Sequence, residues 1–459
     1  HYESNGTWIS AAVRNYQLYG AGTLGLMPVI NPGPATPDTF QHYSHHPPLI
    51  VWSVALASAV FGFHEATARW VAISATLISI AAFYALACRL VDRRRAGWAT
   101  AFYAFTPMML YFGRMPNHEA PSLAVIMLLA VVLVDWLARP RRGRWRALAA
   151  LGVLAAWTSW AAIMFVGAFV LLGLWTGRGR QRRDIFLVGV ITLLAVVALI
   201  GYYQWQWPGT LPDLLDAFLW RASDQSFRRG SEPFTISQFV LRQITHAAPA
   251  FTPSLVIVGL AGIVPAFRRD SRRAREMLAV LLMAGLAYLL AFRNASYVHD
   301  YYKIYLAPSL AMAASAALAY GWANTHHRRL LRPLLAGLVI MGAFSSATIT
   351  GLFHASGNHY LLEKAEGVYY PLDVAGAFAA QTTTGDLVWT DMPYLTPALA
   401  YYAFRDITYD MPPEEALSRA QGETGPVVYA YCGSEDQMPD ALGDFPHQTQ
   451  AGCAFIRLR

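Results

Sequence analysis

The sequence predicts an all-α polytopic membrane protein that carries a small soluble α/β domain at its C-terminal end. Of its 459 residues, 55% are hydrophobic and only 14% are charged, whereas a typical soluble domain has about 45–50% apolar and about 25% charged residues. Apolar runs of membrane-spanning length recur from Ala66 to Gly351. After Gly351 the apolar runs shorten and acidic residues become frequent.

Clusters of arginine between the apolar runs predict the orientation of the chain. The formal net charge is +7, but the basic residues do not form one continuous stripe, which argues against a nucleic-acid partner. Under the positive-inside rule the clusters lie on the cytoplasmic side. They are "DRRRAG" (92–97), "RPRRGRWR" (139–146), "GRGRQRRD" (177–184), "RRDSRRAR" (268–275) and "HHRRLLRP" (326–333).

We expect about ten crossings between these clusters, with both ends of the chain outside. The stretch 147–175 has basic clusters at both ends, so it must cross twice, as two short helices that turn near Thr158 and Ser159. This topology also requires a further span upstream of His1. The remaining spans are expected at 67–90, 97–113, 120–138, 184–203, 252–267, 276–292, 303–322 and 333–351.

Residues 48–63 resemble a span, but we do not expect them to cross. Span 67–90 must run from outside to inside to reach "DRRR", so both ends of 48–63 are external, and the segment is a juxtamembrane hairpin or an interfacial helix. The predicted regions are a first external loop with juxtamembrane helices (1–66), a transmembrane helical domain (67–351) with a long external loop (204–250), and an external, periplasmic α/β domain (352–459).

The C-terminal domain is predicted from the strand-like stretches "DLVWT", "PVVYAYC" and "CAFIRLR". Cys432 and Cys453 each lie near one of these stretches. An external compartment permits a disulfide between them, but two cysteines alone do not establish one.

Two carboxylates on the external side are candidate catalytic groups. Glu3 lies at the start of the first external loop, and Glu119 lies in the short loop "RMPNHE" (114–119), close to the bilayer surface. Together they suit a general base with an orienting partner or a metal ligand. Alternatively, Glu119 only complements the dipole of the helix that starts at Pro121, and Glu3 is a solvated loop acid.

Cationic and imidazole side chains near these acids are candidates for binding a phosphate, since charge-assisted hydrogen bonds to phosphate are strong. Lys303 is one of only two lysines in the chain and lies at the mouth of a predicted span, where it is alternatively an interfacial anchor. The candidates are His45, His46, Arg114, His299 and Lys303.

Further residues of the same loops are candidates for contact with the substrate. These are His118, Tyr301 and Tyr302, although tyrosines at a span end also form aromatic belts. A metal site built from His42, His45, His46 and His118 does not match a zinc-ligand spacing. We therefore predict no metal site and no required cofactor, and leave a divalent cation held by Glu3, Glu119 and His118 as an alternative.

Four motifs occur in a set order: "HHPPLIVW", "GFHEATARW", "GRMPNHEAPSL" and "HDYYKIYLAPSLA". Over residues 1–320 the chain thereby resembles the polytopic GT-C glycosyltransferases, and within them the group of protein O-mannosyltransferases and lipid A aminoarabinose transferases. The resemblance implies that the catalytic base is the acid of the first external loop, here Glu3. The second acid, usually in Asp-x-Pro, matches Glu119. The basic residue before Pro-Pro matches His46.

The resemblance also implies a reaction. Such enzymes use a sugar linked to a polyprenyl phosphate, whose lipid tail lies in the bilayer of the cytoplasmic membrane, and the chemistry takes place on the external face. Once its charge is neutralised, the phosphate leaves without a general acid, and direct displacement inverts the anomeric carbon. The sequence does not identify the sugar or the acceptor, which is a lipid, a glycan or a protein.

Two alternative functions remain. The group has an Asp-Glu pair where this chain has Tyr2 and Glu3, and this difference favours a non-catalytic membrane subunit that keeps the fold. A transporter is disfavoured because mid-span positions are almost entirely apolar, whereas transporters need polar groups near the midplane. Asp135 is an exception, but it lies near the cytoplasmic end of its span.

Overall fold

The computed structural model describes residues 4–225, 232–323, 328–356, 371–392, 398–433 and 438–459. The chain divides into two compact units. The helical unit is Ser44–Phe353, and the terminal unit joins His1–Tyr43 to His354–Arg459. The boundaries predicted at residues 66 and 351 mark the membrane surface. Contacts within the chain do not locate that surface, so these boundaries stay a prediction.

Helices make up most of the described residues. They are α1 (Ser4–Tyr19), α2 (Leu49–Phe61), α3 (Glu65–Leu90), α4 (Arg93–Ala104), α5 (Pro107–Phe112), α6 (Glu119–Ala138), α7 (Arg142–Thr158), α8 (Trp160–Thr176), α9 (Arg180–Gln206), α10 (Thr210–Ala222), α11 (Ile236–Phe251), α12 (Pro253–Arg269), α13 (Arg272–Ala291), α14 (Arg293–Val298), α15 (Ala307–Ala323), α16 (Arg328–Ser356), α17 (Pro371–Gln381), α18 (Ala398–Ala403), α19 (Pro413–Ala420) and α20 (Asp440–Gly443). Two 3₁₀ helices are Pro37–Thr39 and Asp300–Leu306.

Short polar side chains determine where several helices start. Ser159 accepts a hydrogen bond from a backbone N–H in the first turn of α8, and α7 ends at Thr158, so the predicted break between two short helices is confirmed. Thr106 caps α5 in the same way, and Pro107 follows it. Because the residue before a proline avoids the helical conformation, the chain here forms α4 and α5. The segment 97–113 is therefore not one helix, and the span predicted there is not confirmed.

The described residues contain six helices that are long and apolar enough to cross a membrane. α11 and α12 are bent by 107° relative to each other at Thr252, whose φ is 66°. If this bent pair crosses the membrane as one broken span, it is a seventh span. The protein is thus a multi-pass membrane protein, but the predicted count of about ten crossings is not confirmed. α2 has only 13 residues, and its juxtamembrane position stays a prediction. The six are Glu65–Leu90, Glu119–Ala138, Arg180–Gln206, Arg272–Ala291, Asp300–Ala323 and Arg332–Gly351.

Small residues allow close packing within the helical unit. At Gly262 of α12, a Cβ atom would lie 1.8 Å from the carbonyl oxygen of Ala313 in α15, so only glycine permits this approach. At the end of the same helix pair, Arg95 of α4 forms a buried ion pair with Asp270 and donates to Ser315 Oγ at 3.2 Å. These contacts hold α15 firmly, and the candidate site lies at the opposite end of that helix.

The terminal unit contains the α/β domain predicted from the sequence. Its strands are β1 (Leu387–Thr390), β2 (Ile407–Thr408), β3 (Val427–Tyr431), β4 (His447–Gln450) and β5 (Cys453–Arg457), in the order β2-β1-β3-β5-β4. β1 pairs in parallel with β2 and β3, and β5 pairs antiparallel with β3 and β4. A disulfide between Cys432 and Cys453 joins the end of β3 to the start of β5.

The first segment of the chain packs within this terminal unit. The Arg14 guanidinium of α1 lies over the ring of Tyr401, 4.4 Å from its centroid, and over the ring of Phe404, at 4.5 Å. Arg14 also donates to the Tyr401 carbonyl at 2.9 Å. α1 is therefore part of the unit that contains the sheet.

Candidate active site

Separate segments of the helical unit meet at the candidate site. They are residues 44–48, the start of α6, the end of α10 and the 3₁₀ helix Asp300–Leu306. Pro47 and Pro48 delay the start of α2 until Leu49, because proline lacks the N–H that a helix interior needs. The two histidines before these prolines therefore lie on irregular backbone, and their rings reach other helices.

A hydrogen-bonded clamp fixes the segment 44–48 to α10 and α8. Ser44 Oγ donates to Asp213 Oδ2 at 2.6 Å, and His45 Nε2 lies 3.0 Å from Asp213 Oδ1. Trp160 Nε1 donates to the His45 carbonyl at 2.8 Å. Burial, together with the nearby Arg221, lowers the pKa of His45 below its ordinary value. His45 thus holds α10 in position, and its predicted role toward a phosphate stays untested.

The predicted residues His46 and His118 are brought together. Their rings stack with centroids 4.1 Å apart and an angle of 16° between the planes. Burial is the main cause that lowers the pKa of His46 well below its ordinary value, and burial also lowers the pKa of His118 to about 3. Both rings are therefore neutral at pH 7, and each can donate one N–H hydrogen bond.

Glu119 is the first residue of α6 and only 6% exposed. Among the described residues, its Oε2 atom has no hydrogen-bond partner. The carboxyl group lies within electrostatic range of the hydroxyls of Tyr288, Tyr302 and Tyr305. An oxygen without a partner on a buried carboxyl group is costly. This cost supports a functional role for Glu119, which stays a prediction beside the helix-capping alternative.

Arg221 is the central cation of the site, and it is not among the site residues predicted from the sequence. It lies in the last turn of α10 and is hydrogen-bonded to the Tyr302 hydroxyl, which also bonds Tyr288. A signal was present, because "LPDLLDAFLWRA" is an amphipathic helix with a single arginine at its C-terminal end, where a cation suits the dipole. The positive charge of Arg221 acts on His45, His46, His118 and His299.

An apolar groove leads to Arg221. Its volume is about 460 Å³, and α8, α9, α10 and α13 form its walls. Among the described residues that line it, Arg221 is the one with a charge. The other lining residues are Trp160, Ile163, Met164, Ile200, Leu211, Leu214, Leu215, Phe218, Ala291 and Phe292. The groove therefore suits a long apolar chain that ends in an anion.

His299, Tyr301 and Tyr302 form a stack of rings beside Arg221. The His299 ring centroid is 5.0 Å from that of Tyr301 and 6.1 Å from that of Tyr302. Burial, assisted by Arg221, lowers the pKa of His299 to about 4. Tyr301 faces Phe112 of α5 on its other side, with centroids 5.6 Å apart. Of the two predicted tyrosines, Tyr302 is the one bonded to Arg221.

Lys303 and Arg114, also predicted to bind phosphate, have other neighbours. Lys303 is 2% exposed, and its Nζ lies 3.3 Å from His246 Nδ1 of α11. The Asp300 carboxylate provides an opposite charge nearby. The Arg114 guanidinium lies over the ring of Tyr111, at 5.6 Å. Their assignment to the phosphate stays a prediction.

The remaining predictions concern Glu3 and a metal. Glu3 lies outside the described residues, so its distance from Glu119 is not known. No group of three histidine, cysteine, aspartate or glutamate side chains is arranged to hold a metal ion within the described part of the chain. The alternative cation site includes Glu3 and therefore remains untested.

Comparison with known proteins supports the resemblance that the motifs indicated. Residues 45–203 match the model of the dolichyl-phosphate-mannose-protein mannosyltransferase family. This match includes His45, His46, Arg114, His118 and Glu119. A search of curated protein sequences finds no match.

Solved structures share the fold over nearly the whole chain. ArnT from Cupriavidus metallidurans, bound to undecaprenyl phosphate, has a TM-score of 0.66 at 15% identity, covering 100% of this chain and 94% of ArnT. The oligosaccharyltransferase AglB from Archaeoglobus fulgidus, in complex with an inhibitory peptide and a dolichol-phosphate, has 0.54 at 14% identity, with 93% and 65% covered. Arabinofuranosyltransferase AftD from Mycobacteria has 0.52 at 18%, with 93% and 33% covered. The expected GT-C fold is thus confirmed.

Proposed function

We propose that this chain is a membrane glycosyltransferase that transfers a sugar from a polyprenyl-phosphate donor to an acceptor hydroxyl. The observation that carries the proposal is the apolar groove that ends at Arg221. A lipid phosphate needs both features at once, an apolar channel for its tail and a cation at the channel's end. The ligands in the ArnT and AglB structures, undecaprenyl phosphate and dolichol-phosphate, belong to the same chemical class and support this interpretation.

In this proposal the phosphate binds to Arg221. A guanidinium donates two parallel hydrogen bonds to phosphate oxygens, and each charge-assisted bond contributes roughly 1.5–3 kcal/mol. The neutral rings of His46, His118 and His299 provide N–H donors around the same anion. Since only the arginine is charged at pH 7, it supplies most of the attraction, and the histidines determine orientation.

The reaction is a single displacement at the anomeric carbon. The acceptor oxygen forms a bond to that carbon, while the bond to the phosphate oxygen breaks and its electron pair leaves with the phosphate. Arg221 stabilises the charge that develops on the leaving oxygen. The acceptor proton passes to a carboxylate. Glu3 takes this role by resemblance, while Glu119, buried beside the phosphate-binding residues, orients the acceptor or replaces Glu3 as the base.

We further propose that about ten segments cross the cytoplasmic membrane and that the site faces outward. α6 supports this orientation, since it begins at Glu119 in the site and ends at Ala138, just before "RPRRGRWR" (139–146). α15 has the same polarity, since it begins beside the 3₁₀ helix and ends before "HHRRLLRP" (326–333). Arginine clusters mark the cytoplasmic ends of spans, so the opposite ends are external. The transferred sugar is a hexose or a pentose, and the acceptor is a lipid, a glycan or a protein.

The test uses the full chain in lipid nanodiscs with a panel of radiolabelled polyprenyl-phosphate sugars. Release of sugar to water avoids the need to know the acceptor. We expect one donor to be consumed, and we expect Arg221→Gln to bind that donor more weakly. The matched control is Arg183→Gln, because Arg183 is an exposed arginine outside the groove. Binding of a donor without any turnover favours the non-catalytic subunit, and no binding of any donor contradicts the proposal.

A further inference from the structure

A second groove lies at the other end of the helical unit, along α16. Its first part, of about 500 Å³, lies between α4, α15 and α16, and its second part, of about 160 Å³, continues between α4, α12 and α16. Trp98 and Val339 line both parts, so the two parts adjoin. From Leu335 to Ser346, α16 rises about 16 Å along this groove.

At the wide end of this groove, two arginines lie near the ring of Trp322: Arg94 and Trp322 line the groove, and Arg332 lies beside it. The Arg94 guanidinium lies 5.9 Å from the ring centroid of Trp322, and that of Arg332 lies 5.3 Å from it. Arg332 Nη2 donates to the Trp322 carbonyl at 2.9 Å, and its buried Nε has no hydrogen-bond partner among the described residues. No carboxylate of the described residues forms an ion pair with Arg94 or Arg332.

The other charged groups near this end are already engaged. Arg95 is held by both carboxylate oxygens of Asp270. Asp92 lines the groove, and its Oδ1 accepts from the Arg95 backbone N–H at 3.0 Å as the cap of α4. Among the described residues, Arg94 in the lining and Arg332 beside it thus have no carboxylate partner, whereas Asp92 caps α4.

We infer that this groove binds a phospholipid with an anionic headgroup. Its phosphate lies between Arg94 and Arg332, and one acyl chain follows the groove past Val339 toward Ser346. Arginine binds phosphate oxygens in a bidentate manner, and tryptophan is suited to the headgroup level of a bilayer. A soluble phosphate would use only the arginines and leave the apolar remainder of the groove empty.

This site is distinct from the proposed donor site. α15 begins next to the 3₁₀ helix that carries Tyr302 and ends near Trp322, so the two sites are separated by the length of 17 residues, about 26 Å. The donor groove is formed by other helices. The lipid would stabilise α16, whose span Arg332–Gly351 is only 11% buried and whose contact with α4 includes a hydrogen bond from Ser346 to the Phe105 carbonyl.

The test measures lipid binding to the full chain by native mass spectrometry in a mild detergent after delipidation. Phosphatidylglycerol and phosphatidylcholine with the same acyl chains are titrated separately. We expect phosphatidylglycerol to bind at least several-fold more tightly. Arg94→Gln combined with Arg332→Gln should weaken its binding about five-fold for each arginine, since each basic residue near an anionic headgroup contributes about 1 kcal/mol. Arg93→Gln is the matched control, because Arg93 is exposed on the same helical turn but does not line the groove.

A second variant tests the acyl chain. Val339→Phe narrows the groove where its two parts meet and should weaken phosphatidylglycerol binding with both arginines intact. If the double variant does not fold, Arg94→Gln alone is used instead. Arg94 is exposed, and its described contact is with Trp322, so this single change should not prevent folding. Equal binding of phosphatidylglycerol and phosphatidylcholine would overturn the inference. Unchanged phosphatidylglycerol binding in the arginine variant and in Val339→Phe would overturn it as well. A co-purified polyprenyl phosphate or protein in this groove would overturn it too.

Discussion

Tyr302 and Lys303 are neighbours in the sequence but belong to two groups of side chains, each built around a different cation with different neighbours. Tyr302 joins the Arg221 group, which consists of Arg221, His46, His118, His299 and Tyr302. Beside it lies the carboxyl group of Glu119, whose Oε2 atom has no hydrogen-bond partner among the described residues. Lys303 joins the Lys303 group, which consists of Lys303, His246, Asp300 and Arg242. The first group has a cation and an apolar groove. The second has a lysine whose charge already faces a carboxylate.

This difference teaches that the presence of a cation near the membrane surface does not identify the phosphate-binding residue. A carboxylate compensates only part of the charge at Lys303, because Arg242 adds a second cation to the same group. Arg221 lies among imidazole rings and tyrosine hydroxyls at the end of an apolar groove, where the phosphate of a lipid can reach it. Variants in each group therefore test whether the donor is bound and converted by the Arg221 group or by the Lys303 group.

The largest effect is expected for Glu119→Gln. If Glu119 accepts or directs the acceptor proton, the change should lower turnover by roughly 10²–10⁴-fold, the range for loss of a general base. In the Lys303 group, Asp300→Asn should leave turnover per folded protein close to the normal value. Sugar release from the donor panel measures both. Normal turnover in Glu119→Gln would assign the proton transfer to another carboxylate, with Glu3→Gln as the next variant.

Arg221→Gln should mainly weaken donor binding. Losing one or two charge-assisted hydrogen bonds should raise the Kd for the donor roughly 10- to 100-fold. Lys303→Gln should change that Kd much less. Equilibrium binding of a fluorescent polyprenyl-phosphate analogue compares the two variants. A larger loss in Lys303→Gln would show that the phosphate contacts the second group.

A pH series should reveal the neutral histidines of the Arg221 group. Burial lowers the pKa of His118 to about 3, below the unfolded value of about 6.5, so between these values the unfolded chain binds more protons and stability rises with pH. At pH 5.5 His118 should therefore destabilise the protein by about 1.4 kcal/mol relative to pH 8. The thermal midpoint should fall as the pH is lowered, and less steeply in His118→Gln. Equal slopes would contradict the burial of a neutral ring.

The smallest effect is expected for the clamp that holds α10. Asp213→Asn weakens the bonds from Ser44 and His45 by replacing a charged acceptor with a neutral one, and should lower donor affinity about five-fold through the position of Arg221. Glu415→Gln, which changes an exposed carboxylate of α19 in the terminal unit, serves as the control. A loss in kcat with KM unchanged would indicate instead a role in the transition state.

Much of the fold could be predicted because its determinants are local. Apolar length and arginine clusters located α3, α6, α9, α13 and the helix pair α7 and α8, and the strand-like stretches located the sheet. The span predicted at 97–113 is not confirmed, because a cap and a proline together end a helix inside an otherwise apolar run. The number of crossings could not be predicted with the same accuracy, because several apolar helices are shorter than a bilayer requires.

The chemical identity of the candidate site could also be predicted in part. His46, His118 and Glu119 were selected because polar groups at the start of an apolar run are costly unless they serve a purpose, and the structure places them together. Asp213 and Arg221 were not selected. They lie on an amphipathic helix, where charged residues are ordinary. The position of Arg221 at the C-terminal end of that helix is a local signal, but a cation there is equally typical of a solvated side chain.

By itself, the sequence determined which segments are apolar helices, where most of them begin and end, and that polar groups gather at the ends opposite the arginine clusters. Only the tertiary structure decided that Arg221 lies at the end of an apolar groove and that Lys303 lies against His246 and Asp300. The physical reason is range. Helix propensity, capping and hydropathy act over a few neighbouring residues, whereas the effective charge of a buried cation depends on groups that are distant in the sequence and meet only after the helices have packed.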